Sequence, residues 1–256
     1  MDHDNHIGCG PGDIGRYVLL PGDPGRCELI ARYLEAPQLI AQSREFTTYT
    51  GTLLGEKVSV TSTGIGCPST AIAVEELVMI GAEVLIRIGT CGGMQPYLAL
   101  GDLVVATAAV RDEGTSRQYI PLAYPAVADI GVTNALLEAG KSSARTVHVG
   151  IIQSKDSFYG QQQAERMPIA SELAATWSAW RLGHVLCSEM EAATLFVVSS
   201  ILQKRAGAVL MVTGNQERSP ADLAVDEERG YDLQPLIELA IGAVKILIER
   251  DRAEEK

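Results

Sequence analysis

Short, densely apolar runs alternate along this chain with longer segments whose apolar residues recur at helical spacing. Tyr17-Val18-Leu19-Leu20, Val84-Leu85-Ile86-Arg87-Ile88, 148–154, Val185-Leu186-Cys187 and 207–212 are apolar without regular polar alternation, which predicts short buried inner strands. Residues 41–55 alternate enough for a strand closed by a hairpin turn at Leu54-Gly55, and 57–63 and 101–111 add two more strands. Helical spacing predicts a helix over 26–34, with Cys27, Ile30, Ala31 and Leu34 on one face, and another from Pro68 to Gly81, where proline suits the first helical position. Further helices are predicted over 129–141, around Trp177 and Trp180, over 192–202, and as an amphipathic close over 234–250. Strands alternating with helices predict an α/β sheet with both faces covered. Residues 112–118, 155–168 and 219–230 read as polar loops, the last acidic enough to be flexible, and no repeat or linker divides 1–256 into more than one domain.

The polar residues gather where strands end. Arg87 sits in a buried run, so it has to meet an anion or a carboxylate, because an unpaired buried guanidinium costs several kcal/mol. Gly89, Thr90, Gly92 and Gly93 follow it, so the stretch reads either as an oxyanion cradle at a strand end or as an ordinary turn above a structural ion pair. Gly22-Asp23-Pro24-Gly25-Arg26 links a strand to a helix and is a second anion candidate, or a plain turn. Gly64-Ile65-Gly66-Cys67-Pro68-Ser69 delivers another helix N-terminus, but the third glycine and the acidic residue of a dinucleotide fingerprint are missing. Phe158, Tyr159, Gln161, Gln162, Gln163 and Arg166 form either an amide-reading surface with stacking rings or a solvated loop. In Ser188-Glu189-Met190-Glu191 the helix dipole explains one glutamate, while two flanking a methionine suit a sugar diol.

Composition narrows the classes. A net charge of -11 and a pI near 4.9 argue against nucleic-acid and anionic-membrane surfaces, so any anion site must be local. No apolar stretch reaches the roughly 18 to 20 residues of a membrane helix, and the first residues lack the pattern of a signal peptide. Five cysteines without a CxxC pair predict free thiols in a reducing cytoplasm and no zinc site, with Cys91 filling a tight turn rather than acting as a nucleophile.

Together, Gly22-Asp23-Pro24-Gly25-Arg26, Arg44-Glu45, the Gly64 to Ser69 loop, Arg87-Ile88-Gly89-Thr90-Cys91-Gly92 and Ser188-Glu189-Met190-Glu191 resemble the hexameric nucleoside phosphorylases, most closely the uridine phosphorylase branch. The motifs run in order from about His6 to the final helix. The resemblance implies one domain with a central mixed, twisted sheet flanked by helices. It implies reversible phosphorolysis of uridine to uracil and ribose 1-phosphate, with phosphate as co-substrate, no cofactor and no covalent nucleophile. Arg87, Glu191 and Arg26 would carry catalysis. Phosphate would be held by Gly22, Arg26, Arg87, Gly89 and Thr90, and by Arg44 from a neighbouring subunit. Glu189, Met190 and Glu191 would hold the ribose, with His6 of a partner reaching the 5′ hydroxyl.

For the base the resemblance implies Phe158, Gln161 or Gln162, Arg166 and Gln216. Here the chain departs from the family pattern of a glutamine and an arginine two residues apart, because its arginine is delayed to Arg166. A second arginine expected near Thr213 or Gly214 is missing, leaving Gln216 and Arg218 as substitutes. The purine members protonate the base with an aspartate where Thr213 stands, and a hydroxyl cannot serve as that acid at neutral pH. A pyrimidine is therefore preferred over the alternatives, a purine nucleoside phosphorylase or an inactive nucleoside-binding protein. The resemblance further implies a cytoplasmic homohexamer, built as a trimer of dimers with shared sites, and a potassium ion between paired subunits at Glu45 and Ser69.

Overall fold

In the computed structural model, which describes residues 6–229 and 232–254, the apolar runs become strands of one ten-stranded sheet. β1 (Tyr17–Pro21) leads into α1 (Gly25–Ala31), and β2 (Glu35–Ser43) and β3 (Phe46–Leu53) form a hairpin continued by β4 (Glu56–Thr61). α2 (Cys67–Met79) crosses to β5 (Val84–Gly93), followed by β6 (Leu103–Asp112), the single turn α3 (Ser116–Tyr119), β7 (Ala126–Val127), α4 (Ile130–Gly140) and β8 (Val147–Lys155). α5 (Phe158–Gln162), a 3-10 turn (Ala164–Arg166) and α6 (Ala170–Leu182) then lead to β9 (Cys187–Glu189). α7 (Ala192–Ile201), β10 (Arg205–Asn215), α8 (Pro220–Arg229) and α9 (Gln234–Glu254) complete the described chain.

The sheet is mixed, as expected. β4, β1, β5 and β10 run parallel, β3 and β2 extend it antiparallel, and β6, β8 and β9 close a ring between β10 and β5. Pro21 and Val209 both stand level with Ile88, so the segments after β1, β10 and the middle of β5 emerge on one edge. Alternating side chains of β5 pack both ways: Leu85 joins α2 and α7, whereas Val84, Ile86 and Ile88 join α1, α4 and α9. Helices thus cover both faces, which is why the inner strands carry no polar alternation. The last helix is locked to the sheet by the buried Asp251, which accepts hydrogen bonds from Tyr17 Oη at 2.6 Å, Arg205 at 2.6 and 2.9 Å, and Arg16 at 3.1 Å. Burial works to raise this carboxyl, but the bonds from Arg205, Tyr17 and Arg16 prevail and hold it well below the usual range.

Five expectations need correction. The 155–168 segment is not a loop throughout, since it contains α5, started by Ser157 Oγ accepting from Gly160 N at 3.0 Å, and a 3-10 turn. The 41–55 strand is two strands, with Arg44 at a positive φ of 55° in the turn between β2 and β3. β2 escaped because an edge strand paired on one side needs no apolar face, and it tolerates Pro37. β5 does not break into a turn at Gly89, since it continues to Gly93 against Asn215 of β10. The 112–118 loop contains α3 and is tied down by buried Glu113, which accepts from Ser116 N at 2.9 Å and Thr194 Oγ1 at 3.1 Å. Most of 219–230 is α8, started by Ser219 Oγ accepting from Asp222 N at 3.2 Å and held by the ion pair of Asp226 with Arg218 at 2.7 Å; position 230 lies outside the described residues. Among the described residues no helix is long and apolar enough to cross a membrane, and all five cysteines are free and buried.

Candidate active site

A cavity of about 810 Å³ opens on the edge where β1, β5 and β10 emerge. The turn after β1 and the start of α1 deliver Gly22 and Arg26, β5 delivers Arg87, Gly89 and Thr90, and the end of β9 with the two residues before α7 delivers Glu189, Met190 and Glu191. α5 adds Phe158 and Gln162 to the lining, and β10 adds Thr213.

Arg87 is the pivot. Its Nε donates to Glu189 Oε2 at 2.8 Å, and its Nη2 lies 2.5 Å from Glu191 Oε2. Its Nη1 is buried without a hydrogen-bond partner among the described residues. Leaving such a donor unsatisfied costs about 1 to 3 kcal/mol, so the site is built to receive an acceptor there. A Cβ on Gly22 would stand 3.9 Å from Nη1, and one on Gly89 only 2.7 Å from Nη2, so glycine at these places leaves room for the guanidinium and for what it binds. Arg26 is 27% exposed in its side chain and, among the described residues, keeps only a long 3.9 Å contact with Asp23, so a second cation remains available on the same cavity.

The two glutamates differ in role. Glu189, with a side chain 1% exposed, accepts from Arg87 Nε, from Glu191 N at 2.8 Å, from Ala192 N at 3.0 Å, and from Ser154 Oγ. It lines the cavity, but its oxygens are engaged in fixing Arg87 and capping α7. Glu191 accepts from Gly66 N at 2.5 Å, a bond made possible by the positive φ of 98° at Gly66. Burial pushes its carboxyl up, Arg87 works against that, and Glu189 adds to it. Each Glu191 oxygen has one protein donor, so each retains acceptor capacity toward the cavity.

Of the remaining expected residues, Glu45 also lines the cavity, and its Oε1 accepts from Ser69 Oγ at 2.7 Å, the bond that lowers its carboxyl. Five residues lie elsewhere in this chain. His6 is exposed and bonds Glu76 at 2.6 Å, and Arg44 is exposed on the β2–β3 turn. Arg166 is exposed on the 3-10 turn and lines neither this cavity nor its neighbour of about 520 Å³. Gln161 lines that second cavity and bonds Ser188 and Gln153 at 2.8 and 3.2 Å, and Gln216 reaches Gln162 at 2.7 Å. Of the two candidate glutamines, Gln162 is therefore the one facing the main cavity. Arg218 is spent on Asp226 and the Pro96 carbonyl.

Sequence reasoning missed Lys155. It closes β8, is 7% exposed, lines both cavities, and donates to Ser188 Oγ at 2.6 Å. The signal was present, since a cation directly after a buried run is what singled out Arg87. Cys67, Glu113 and Asp156 cluster closely enough to suggest a metal. However, burial pushes the Cys67 thiol up, and the two carboxylates are engaged by Ser116, Thr194 and Gly114 N, so the cluster is a poor ligand set.

Comparison with known proteins bears on this geometry. A family model described as the phosphorylase superfamily matches residues 16–248. A uridine phosphorylase of Treponema pallidum (strain Nichols) is 48% identical over 250 residues, covering 98% of this chain and 96% of its own. One of Thermococcus kodakarensis is 46% identical, covering 98% of this chain and 89% of its own. A guanosine phosphorylase of Halorubrum lacusprofundi is 37% identical, covering 96% of this chain and all (100%) of its own.

Proposed function

We propose, from the premise that this chain belongs to the phosphorylase superfamily, that it catalyses reversible phosphorolysis of uridine to uracil and ribose 1-phosphate. The observation that carries this reading is the buried, unpartnered Nη1 of Arg87, a residue lining a cavity that Arg26 and Glu191 line as well. Phosphate is a strongly hydrated, weak nucleophile and has to be stripped of water and placed under the anomeric carbon. Arg87 and Arg26, with Thr90 and the backbone of Gly22 and Gly89, supply donors for that. Glu191 accepts from the sugar hydroxyls and Met190 packs under the ring. As the glycosidic bond lengthens, positive charge grows on the ribose and negative charge on the base, so catalysis rests on placement and electrostatics. A binding protein without turnover has no use for a desolvated donor of this kind.

The guanosine phosphorylase among the relatives makes a purine the second reading. The lining that α5 and β10 supply argues for a pyrimidine, because Phe158, Gln162 and Thr213 are joined there by a cation, Lys155, and by no carboxylic acid able to protonate a purine ring nitrogen. We extend the proposal to a cytoplasmic homohexamer whose neighbouring subunits lend His6 and Arg44. Both side chains are exposed and outside the cavity of their own chain, which supports that role. A monovalent cation at Glu45 and Ser69, two adjacent oxygen ligands, belongs to the same proposal. The test is base release from uridine, deoxyuridine, thymidine, inosine and guanosine with and without phosphate. Phosphate-dependent release led by uridine is expected; faster turnover of guanosine would move the assignment to purines, and binding without turnover would end it.

A further inference from the structure

The cavity contains a second buried cation, Lys155, to which no step of the reaction has yet been assigned. Lys155 ends β8, which β9 separates from β5 and Arg87 in the sheet, and both cations line the same cavity. Its Nζ lies 5.9 Å from the centroid of the Phe158 ring and makes one hydrogen bond among the described residues, to Ser188 Oγ at 2.6 Å. That acceptor is oriented by a relay. Ser188 donates to Gln161 Oε1 at 2.8 Å, Gln161 to Gln153 Oε1 at 3.2 Å, and Gln153 to Asp112 Oδ2 at 2.5 Å. Because the Ser188 hydroxyl gives its own hydrogen to Gln161, its lone pair is left for the lysine, so one ammonium N–H is fixed and two remain. No carboxylate stands within ion-pairing distance of Nζ among the described residues, so Glu189 and Glu191 compensate this deeply buried ammonium only from further off, and holding it is costly.

We propose that Lys155 is the group that receives negative charge on the departing base, which makes it a catalytic residue of the reaction proposed above. When the glycosidic C–N bond breaks, its electron pair goes to the base while a phosphate oxygen bonds the anomeric carbon. The charge spreads onto the carbonyl oxygens of the pyrimidine, and an N–H of Lys155 donates to one of them. The base leaves as the anion and takes its proton from water after release. The inference rests on the proposed phosphorolysis and deepens it. Burial pulls the ammonium down to about 8, although Glu189, Cys187, Glu191 and Cys91, the groups facing it, act to raise it. The donor is thus charged at neutral pH, and the activity that depends on it should decline as pH rises through that value.

The test compares uridine with 5-fluorouridine, whose base is the better leaving group, in the wild type and in Lys155→Met and Lys155→Arg. Lys155→Met should lower kcat/KM roughly 100-fold for uridine and only about tenfold for 5-fluorouridine, leave the phosphate KM unchanged, and remove the alkaline decline in rate. Equal losses on both nucleosides, a raised phosphate KM or no loss would each overturn the assignment, since a purely structural lysine has no reason to sense the leaving group. Lys155→Arg keeps a charge that does not titrate in this range, so it should preserve the wild-type ratio of the two substrates and move the decline out of the measured range. A decline that stays in place overturns the proposal even if the methionine variant does not fold. A wild type inactive on both nucleosides with phosphate refutes the proposed function itself, whereas an active wild type with equal losses refutes only the role of Lys155.

Discussion

Replacing Glu189 with glutamine separates holding Arg87 from holding sugar. The carboxylate is buried and receives N–H groups from Arg87, Glu191 and Ala192 at 2.8 to 3.0 Å, as well as the Ser154 hydroxyl. An amide has one acceptor oxygen, so its NH2 has to face donors unless it takes the Oε1 place, where Ser154 Oγ can turn to accept. In that best arrangement the bond to Arg87 loses its charge and Ala192 N loses one of two acceptors. A bond to a charged group is worth about 1.5 to 3 kcal/mol, so Glu189→Gln should cost about 2 to 3 kcal/mol. For a chain of this length that lowers the melting temperature by roughly 5 to 10 °C. Freed on one side, Arg87 should raise the phosphate KM and lower kcat/KM by about 10- to 100-fold, leaving the uridine KM nearly unchanged. Calorimetry and steady-state rates with phosphate varied at saturating uridine read both effects. A variant that melts with the wild type and is defective only in uridine KM would refute this account and restore Glu189 to the sugar.

Other outcomes follow from the same geometry. Arg87→Ala should cost about 2 to 4 kcal/mol in transition-state stabilisation, seen as a fall in kcat/KM with lost phosphate dependence; unchanged phosphate saturation would remove Arg87 from the site. Gly89→Ala puts a Cβ 2.7 Å from Arg87 Nη2 and 2.9 Å from Leu210 Cδ2, so it should destabilise by about 1 to 3 kcal/mol and abolish most activity, and a fully active variant would contradict the packing described. Asp251→Asn should cost about 2 to 3 kcal/mol at neutral pH. Because the folded carboxyl lies below its unfolded value, that contribution is complete above about pH 5 and is lost as pH falls toward the folded value. The gap between wild type and variant in urea should therefore match at pH 7 and pH 5 and shrink by about 1 kcal/mol at pH 3; a constant gap would rule out the linkage.

The sequence carried the inner strands and their covering helices because burial on both faces leaves a plain mark, as in Tyr17 to Leu20 and Val84 to Ile88. It did not reveal β2, whose stability comes from pairing with β3 rather than from an apolar pattern of its own. It did not reveal α8 either, where polar residues conceal a helix started by Ser219 and held by Asp226. Arg87 was legible because a charge inside an apolar run demands a partner, and Glu191 because two glutamates flanking a methionine exceed what a helix start needs. The different engagement of Glu189 and Glu191 was not, since only backbone geometry decides which carboxylate caps α7 and which keeps acceptor capacity toward the cavity that both line. The choice between Gln161 and Gln162 likewise depends on how α5 turns its side chains.

The central claim, that Arg87 and its neighbours hold phosphate as the nucleophile, is tested most directly by phosphorus NMR of the protein mixed with uridine and inorganic phosphate. A sugar 1-phosphate resonance growing in step with free uracil, as the phosphate signal declines by the same amount, is the expected result. Uracil released while the phosphate signal stays intact would mean that water attacks the sugar, and would contradict the account.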